Sequence, residues 1–232
     1  MISVIIPLYN REKTIIKTLS SLINQTYQDF EVIIVNDGSS DKSEALASSY
    51  LQTAKSNNRF FFLNQANQGA PAARNLGFKS SKGEFIVFCD ADAILEPNAL
   101  EIMLDNLQRH PEASYAYSSF NWGRKFFKLN EFNPEQLKSE PYIHSLSLIR
   151  RQDFPSSGWD ESIKKFQDWD LWLTMLEHGK IGLWIPQVLF KILPGGTMSS
   201  WLPSFAYKMF PFLPAVKKYQ AAMEIIKHKH GL

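Results

Sequence analysis

Two aspartates, Asp90 and Asp92, directly follow the apolar stretch FIVFC at residues 85–89. Carboxylates this close repel each other and are costly to bury, so they need either water or a positive partner. Mg²⁺ and Mn²⁺ bind carboxylate oxygens and complete their coordination with phosphates and water. The spacing therefore predicts a metal-diphosphate site, with the alternative that both residues only cap a helix beginning near Pro97.

Two further charged side chains could reach the same ligand. Asp37 ends the run EVIIVND (31–37), where an acidic residue can hydrogen-bond a ribose hydroxyl or a base edge. Arg74, in QGAPAARNLG (68–77), could bind a diphosphate or a base, or form only a surface salt bridge. Neither a G-x-G-x-x-G after the first apolar run nor a Gly-rich Lys-Ser/Thr loop is present, which argues against NAD enzymes and P-loop NTPases.

The first half of the chain alternates short apolar runs with helical patterns. The runs are 3–9, 31–37, 59–64 and 84–90, and the helical patterns are 12–24, 40–55, 70–80 and 97–109. Runs without polar alternation are typical of strands buried on both faces, so the alternation predicts an α/β fold with a doubly wound parallel sheet. Ligands bind beyond the carboxyl ends of such strands, where Asp37, Asp90 and Asp92 fall, as do Tyr9 and Asn10.

The regular alternation stops after about residue 112. The patterns beyond it predict strands at 114–120 and 142–151, a polar loop at 121–141, a helix at 167–179 and an extended segment at 181–193. Prolines separate two helical stretches after residue 200. We expect one domain at 1–200, with a nucleotide-binding half (1–112) and an acceptor-binding half (113–200), followed by a helical appendage at 201–232.

The composition is that of an ordinary globular protein. The 232 residues are 44% hydrophobic and 21% charged, and a net charge of +2 is too small to indicate a nucleic-acid partner. The single cysteine, Cys89, lies in an apolar run, which favours a core role and a reducing compartment. We find no signal-peptide pattern and no apolar run long enough for a transmembrane helix, so we expect a cytoplasmic location.

Six segments, in this order and at this spacing, resemble family 2 glycosyltransferases of the GT-A fold. They are SVIIPLYN, EVIIVNDGSSD, NQGAPAARNLG, FIVFCDADAILEP, GWDES and QDWDLWL. The resemblance covers about residues 1–200 and implies a Rossmann-like, mostly parallel sheet flanked by helices. It also implies inverting transfer of a sugar from a nucleotide-diphosphate donor, expected to be a UDP-sugar, to a glycan or lipid-linked hydroxyl, as in cell-envelope polysaccharide synthesis, assisted by Mg²⁺ or Mn²⁺.

The resemblance also implies roles for particular residues. Asp168 takes the place of the family's general base, Asp92 that of the metal ligand, and Asp90 contacts the ribose or the metal. The nucleotide-sugar-binding positions are Pro7, Tyr9, Asn10, Asp37, Arg74, Asp90, Ala91 and Asp92. Asp168 begins a predicted helix whose apolar face includes Trp169 and Trp172, and the helix N-terminus favours its charged form. We expect Asp170, two residues later, to point elsewhere.

Two departures from the family pattern keep an alternative open. Gln167 replaces a glutamate beside the predicted base, and Leu193 stands where many relatives have a metal-binding histidine. None of the histidines, including His144, obviously replaces that ligand. The alternative is a non-catalytic nucleotide-sugar-binding protein. A third hypothesis is a nucleotidyltransferase. The Gly-rich loop that such an enzyme has after the first strand is missing from the sequence, which argues against it.

The stretch 201–232 could touch a membrane or pack on the domain. Basic residues alternate with aromatic residues, and four apolar residues recur on one helical face: Val216, Tyr219, Met223 and Ile226. A basic amphipathic helix suits an anionic lipid surface and a lipid-linked acceptor. Packing against the catalytic domain is the alternative that the same face allows, and we favour it slightly.

Overall fold

A computed structural model of the protein describes residues 1–54, 59–195, 209 and 212–232. In its first half, strands and helices alternate as the apolar runs predict. The elements are β1 (Ile2–Leu8), α1 (Ile15–Ile23), β2 (Phe30–Asp37), α2 (Ser43–Thr53), β3 (Phe60–Gln65), α3 (Ala70–Ser80), β4 (Phe85–Phe88), β5 (Ala93–Leu95) and α4 (Ala99–Arg109). The strands β3, β2, β1 and β4 are parallel neighbours in this order, so their carboxyl ends share one edge.

The second half completes the same sheet through four antiparallel strand pairs and one parallel pair. Its elements are β6 (Tyr115–Trp122), β7 (Lys125–Phe127), α5 (Pro134–Ser139), β8 (Leu148–Arg150), α6 (Gln167–Glu177), β9 (Gly182–Ile192) and α7 (Pro214–Lys229). The nine strands found in the described residues follow the order β3-β2-β1-β4-β8-β6-β9-β5, with β7 on β6. The α/β fold predicted from the sequence is confirmed.

Two predictions for the second half are wrong. Residues 142–151 form a strand only at Leu148–Arg150, because the chain turns just before it. The Leu146 N–H donates to His144 Nδ1 at 3.0 Å, and the Ser147 N–H donates to the Ser145 carbonyl at 2.8 Å. The predicted loop 121–141 contains β7 and α5, and the signal missed there was Asn133, whose side chain caps α5.

The helix α7 packs on the domain through the apolar face noted in the sequence. Val216 and Ile226 are fully buried, Met223 contacts the core, and the Tyr219 ring meets the Phe166 ring edge-on at 5.0 Å. That face is therefore not available to a membrane. The aromatic residues Trp201, Phe205, Tyr207 and Phe210 lie outside the described residues. Among the helices that are described, none is long and apolar enough to span a membrane.

Candidate active site

A cavity of about 570 Å³ opens at the carboxyl ends of β1, β2 and β4. All the predicted site residues but one line it: Pro7, Tyr9, Asp37, Arg74, Asp90, Ala91, Asp92 and Asp168. Parallel strands bring their last residues to one edge of the sheet, which is why residues far apart in sequence meet here. The exception, Asn10, turns away.

Asn10 serves the loop rather than the cavity. It adopts a left-handed conformation with φ +50°, and its side-chain oxygen accepts the N–H groups of Ser40 and Asp41 at 2.9 and 3.3 Å. These bonds tie the loop after β1 to the turn after β2. Its neighbour Tyr9 is 45% exposed and lines the cavity.

Asp90 is held by an arginine from α3. The Arg74 guanidinium donates to Asp90 Oδ1 at 2.8 Å and to the side-chain oxygen of Gln167 at 3.1 Å, and it lies 4.4 Å from the centre of the Trp159 ring. Although burial by itself raises the pKa of Asp90, the charge of Arg74 holds that pKa below its ordinary value. Arg74 is therefore the positive partner that Asp90, the first of the two aspartates, requires. Gln167, a departure from the family pattern, is a partner of the same arginine.

Asp92 has a weaker partner. Its residue is 6% exposed, and Arg11 Nε lies 3.6 Å from Oδ2, which is longer than a hydrogen bond. Burial and the charge of Asp90 raise the pKa of Asp92 to about 6. The Leu193 N–H donates to the Asp92 carbonyl at 2.9 Å, so the residue that replaces the family's histidine does stand beside Asp92.

A divalent cation fits this carboxylate pair only with help from a ligand. Asp92 is a buried carboxylate whose cationic partner, Arg11, lies beyond hydrogen-bond distance, which favours a further positive charge beside it. In the same residues, no group of three His, Cys, Asp or Glu side chains is arranged to hold a metal ion. Mg²⁺ and Mn²⁺ prefer six oxygen ligands, so phosphate oxygens and water would have to supply the rest.

Asp37 is anchored to the chain on both carboxylate oxygens. Oδ1 accepts Gln65 Nε2 at 2.7 Å and the Gln68 N–H at 2.8 Å, and Oδ2 accepts the Gly69 N–H at 2.9 Å. These bonds fix the loop that leads into α3. Oδ1 already accepts two hydrogen bonds, but Oδ2 accepts one and keeps a lone pair for a further donor, so the predicted contact with a nucleotide stays compatible with this anchoring.

Asp168 lies in the first turn of α6 with a fixed orientation. Its Oδ2 accepts the Ser145 N–H at 3.1 Å. The indole of Trp169 donates to the Leu137 carbonyl at 2.5 Å, and that of Trp172 to the Ile143 carbonyl at 3.0 Å. Both rings are fully buried, so the predicted anchoring of this helix by its tryptophans is confirmed.

Asp170 points away from the cavity, as expected. Its Oδ1 lies 2.7 Å from Lys229 Nζ and 3.0 Å from His230 Nε2, both at the end of α7. Asp168 therefore faces the cavity, whereas Asp170, two residues later on α6, holds the C-terminal helix α7.

Arg11 was not predicted from the sequence as a site residue, and neither His144 nor Trp159 was assigned to the cavity region. His144 lines the cavity, with Nε2 4.0 Å from Asp90 Oδ2. It comes near Asp90 because β4 and β8 are antiparallel with Val87 opposite Leu148, so the chain after one strand lies beside the chain before the other. No local signal predicts this pairing. The four N-terminal strands were readable because each is a continuous apolar run.

Comparisons with known proteins agree with this geometry. A family model described as glycosyl transferase family 2 matches residues 3–159. The chain is 32% identical over 198 residues to an uncharacterized glycosyltransferase of Rickettsia bellii (strain RML369-C), a match covering 78% of this chain and 27% of that protein. This chain thus spans only about a quarter of that relative's length.

Solved structures share the fold at low sequence identity. The crystal structure of S. aureus TarS 1–349 in complex with UDP-GlcNAc gives a TM-score of 0.73 at 19% identity, covering 99% of this chain and 71% of that one. The mannosyltransferase PcManGT from Pyrobaculum calidifontis, in complex with GDP-Man and Mn²⁺, gives a TM-score of 0.70 at 19% identity, covering 98% and 69%. The GT-A fold implied by the sequence motifs is confirmed.

Proposed function

This chain belongs to glycosyl transferase family 2, and from that premise we propose that it is an inverting glycosyltransferase. It transfers a sugar from a nucleotide-diphosphate sugar to a hydroxyl group of a glycan or a lipid-linked acceptor, a reaction of cell-envelope polysaccharide synthesis. The observation that supports this best is a single cavity that contains both the Asp90–Asp92 pair and the Asp168 carboxylate. The first suits a diphosphate with its cation, and the second suits an acceptor hydroxyl.

Asp168 is the general base in this proposal. It takes the proton of the acceptor hydroxyl as that oxygen attacks the anomeric carbon, while the bond from this carbon to the diphosphate oxygen breaks. The Ser145 N–H occupies only Oδ2, which leaves Oδ1 for the proton. Because the buried Trp169 and Trp172 hold the first turn of α6 in place, the Asp168 carboxylate needs little reorganisation before the reaction.

The leaving diphosphate is the second site of charge. Arg11 and the exposed Lys164 and Lys165 line the cavity and meet its negative charge. When bound, a Mg²⁺ or Mn²⁺ ion supplies further stabilisation of that charge. Asp92 would hold the ion together with the Asp90 carboxylate, since Leu193 offers no ligand atom.

The nucleotide lies at the other end of the cavity in this proposal. Asp37 and Arg74 contact the nucleoside and the diphosphate, and the nearby backbone forms the floor at Pro7, Tyr9 and Ala91. Asn10 contributes by holding the loop after β1 in place. We propose a UDP-sugar as donor; TarS was crystallised with UDP-GlcNAc, and PcManGT with GDP-Man and Mn²⁺. These ligands belong to those proteins and support, for this chain, a nucleotide-sugar donor.

The remaining parts of the proposal concern the chain's organisation and place in the cell. We propose residues 1–200 as the transferase domain, with a nucleotide-binding half (1–112) and an acceptor-binding half (113–200), and residues 201–232 as a C-terminal appendage. The helix α7 belongs to this appendage, and residues 201–208 lie outside the described residues. We place the reaction on the cytoplasmic side, with peripheral membrane contact through 201–232. Because the apolar face of α7 is buried, that contact would have to come from the stretch before it.

A donor screen tests the activity directly. UDP- and GDP-sugars are incubated with the full chain, with and without Mg²⁺ or Mn²⁺, and the free nucleoside diphosphate is measured. Metal-dependent release from one donor supports the transferase. Donor binding without release, even with hydroxyl acceptors present, would favour the alternative of a non-catalytic nucleotide-sugar-binding protein, which Leu193 motivates.

A further inference from the structure

His144 presents one defined hydrogen-bond donor to the cavity. Its Nδ1 accepts the Leu146 N–H at 3.0 Å, and a backbone N–H can only donate. Nδ1 therefore carries no proton, which places the ring proton of the neutral imidazole on Nε2. The rings of Phe120 and Phe190 lie 5.2 and 5.3 Å from the imidazole, and they fix its orientation.

This Nε2–H has no partner in the described part of the protein. Asp90 Oδ2 lies 4.0 Å away, beyond hydrogen-bond range, although the His144 side chain is only 11% exposed. The other oxygen of Asp90 is already bound by Arg74. A nearly buried donor and a carboxylate oxygen therefore lie too close for an atom to fit on the line between them, but one oxygen beside that line can be within hydrogen-bond distance of both.

Hydrogen-bond chemistry limits what can bridge the two groups. An oxygen close to both must accept a hydrogen bond from Nε2–H and donate one to the carboxylate. A water molecule can do both in the free protein and a ligand hydroxyl can replace it, whereas a phosphate oxygen can only accept and would be repelled by Asp90. A metal ion is excluded from Nε2 because that nitrogen carries the proton.

The neighbouring residue indicates which hydroxyl this is. Ser145, next to His144, donates its N–H to Asp168, so the donor stands beside the carboxylate proposed as base. The base must contact the acceptor hydroxyl that attacks the anomeric carbon, so the sugar ring lies close to Asp168 and to the neighbouring His144. Resting on the function proposed above, we propose that His144 Nε2–H and Asp90 Oδ2 together bind one hydroxyl of the transferred sugar and select donors that carry it.

Two substitutions separate this role from a structural one. Asparagine at position 144 keeps an oxygen near the place of Nδ1, able to accept the Leu146 N–H, but has nothing at the place of Nε2. Glutamine has an N–H₂ group near the place of Nε2 and lacks the acceptor. We expect His144→Asn to weaken UDP-sugar binding about tenfold and His144→Gln to stay close to wild type.

Calorimetry with UDP and with the UDP-sugar chosen by the donor screen provides the measurement. UDP affinity should be equal in wild type and both variants, because UDP lacks the transferred sugar. A donor analogue deoxygenated at the bound position should bind wild type and His144→Asn alike. Loss of UDP binding in His144→Asn would assign the hydroxyl to the ribose and overturn the sugar contact.

Other outcomes also distinguish the two proposals. Equal loss in both variants, or loss in His144→Gln alone, would mean that the 144–147 turn and not the Nε2–H sets the affinity, and would overturn the role of His144. Failure of the wild-type chain to bind any UDP- or GDP-sugar would overturn the transferase proposal itself, and with it the sugar contact.

Discussion

Two charged clusters flank the helix α6, and they differ in how completely their groups are paired. The cavity cluster contains Asp90, Asp92, Arg11, Arg74 and His144. Within the described residues, each of its members has either a polar atom without a hydrogen-bond partner, as Arg74 Nε does, or a partner at a long distance, as in the 3.6 Å between Arg11 Nε and Asp92 Oδ2. The second cluster, called the α7 latch here, contains Asp160, Asp170, Glu177, Lys229 and His230.

The α7 latch closes on itself. Lys229 Nζ lies 2.7 Å from both Asp160 and Asp170. His230 directs Nε2 to Asp170 at 3.0 Å and Nδ1 to Glu177 at 2.6 Å. Two carboxylates on one ring require both nitrogens to donate, so His230 is an imidazolium. The Lys229 hydrogen bond lowers the pKa of Asp160 to about 2.

The contrast between the two clusters indicates which of them binds a ligand. Buried polar groups that have found their partners in the protein stabilise the fold, whereas those left unpaired are costly unless something else completes them. The cavity cluster is incomplete without a donor and a cation, and the α7 latch is complete without either. Substitutions in the first should therefore change binding and turnover, and those in the second should change stability.

The largest effect is expected for Asp168→Asn. Loss of the general base should reduce turnover about 10²-fold or more, with donor affinity and Tm near wild type, because asparagine still accepts the Ser145 N–H. Nucleotide release and calorimetry measure this. The control is Asp105→Asn, in an exposed pair with Arg109. Turnover equal to wild type would remove Asp168 from the mechanism.

Asp92→Asn should separate function from stability. We expect UDP binding to lose its dependence on Mg²⁺ or Mn²⁺. Because the raised pKa of Asp92, about 6, means that its charge destabilises the folded state above pH of about 4, the variant should also gain about 2–4 °C in Tm.

Asp37→Ala is the matched comparison for Asp92→Asn. It should weaken nucleotide binding while leaving metal dependence intact, and it should lower Tm because three hydrogen bonds to its carboxylate are lost. Metal dependence surviving in Asp92→Asn would show that the ion is held elsewhere.

Asp170→Asn should have the opposite profile. It leaves Lys229 and His230 with one carboxylate fewer, and we expect the free energy of unfolding to fall by about 2 kcal/mol, less than for a fully buried pair because Lys229 is partly exposed. Urea unfolding measures this change. Glu224→Gln, in an exposed pair on the same helix, should change stability little. An unchanged midpoint in Asp170→Asn would mean that the latch contributes nothing.

Leu193→His should sharpen the account of the cavity cluster. The Leu193 backbone already bonds to Asp92, so an imidazole there can reach the cation, and metal affinity without nucleotide should rise about tenfold. The same titration with UDP should show a smaller gain, because phosphate oxygens already supply ligands. Tight metal binding by the wild type alone would contradict the proposed ligands.

The smallest expected effect is the pH dependence of the latch. Although burial by itself lowers the pKa of His230, its bonds to Asp170 and Glu177 raise that pKa above the ordinary value. Its stabilisation is therefore fully present below pH of about 6.5 and is lost as pH rises through the folded pKa. The Tm difference between wild type and His230→Gln should be larger at pH 5.5 than at pH 9. A constant difference would show that His230 is not charged in the latch.

Sequence patterns by themselves determined the parallel strands, their shared edge and the carboxylates at that edge. A run buried on both faces is recognisable from its own residues, and a strand's last residue lies at the edge wherever the strand is placed. This is why Asp37, Asp90 and Asp92 could be named from local patterns alone. Asp168 needed more, since its role was implied only by the resemblance of several motifs to family 2 glycosyltransferases.

Only the tertiary structure decided which side chains meet. His144 reaches Asp90 across 54 positions because β8 pairs antiparallel with β4, and Asn10 turns to the neighbouring loop although its strand ends at the same edge. The apolar face of α7 was visible in the sequence, and its packing on the domain was slightly favoured there, but its contact with Phe166 was not predictable. Local patterns report which groups seek burial or a partner, whereas the partner itself is chosen by the order in which the chain crosses the sheet.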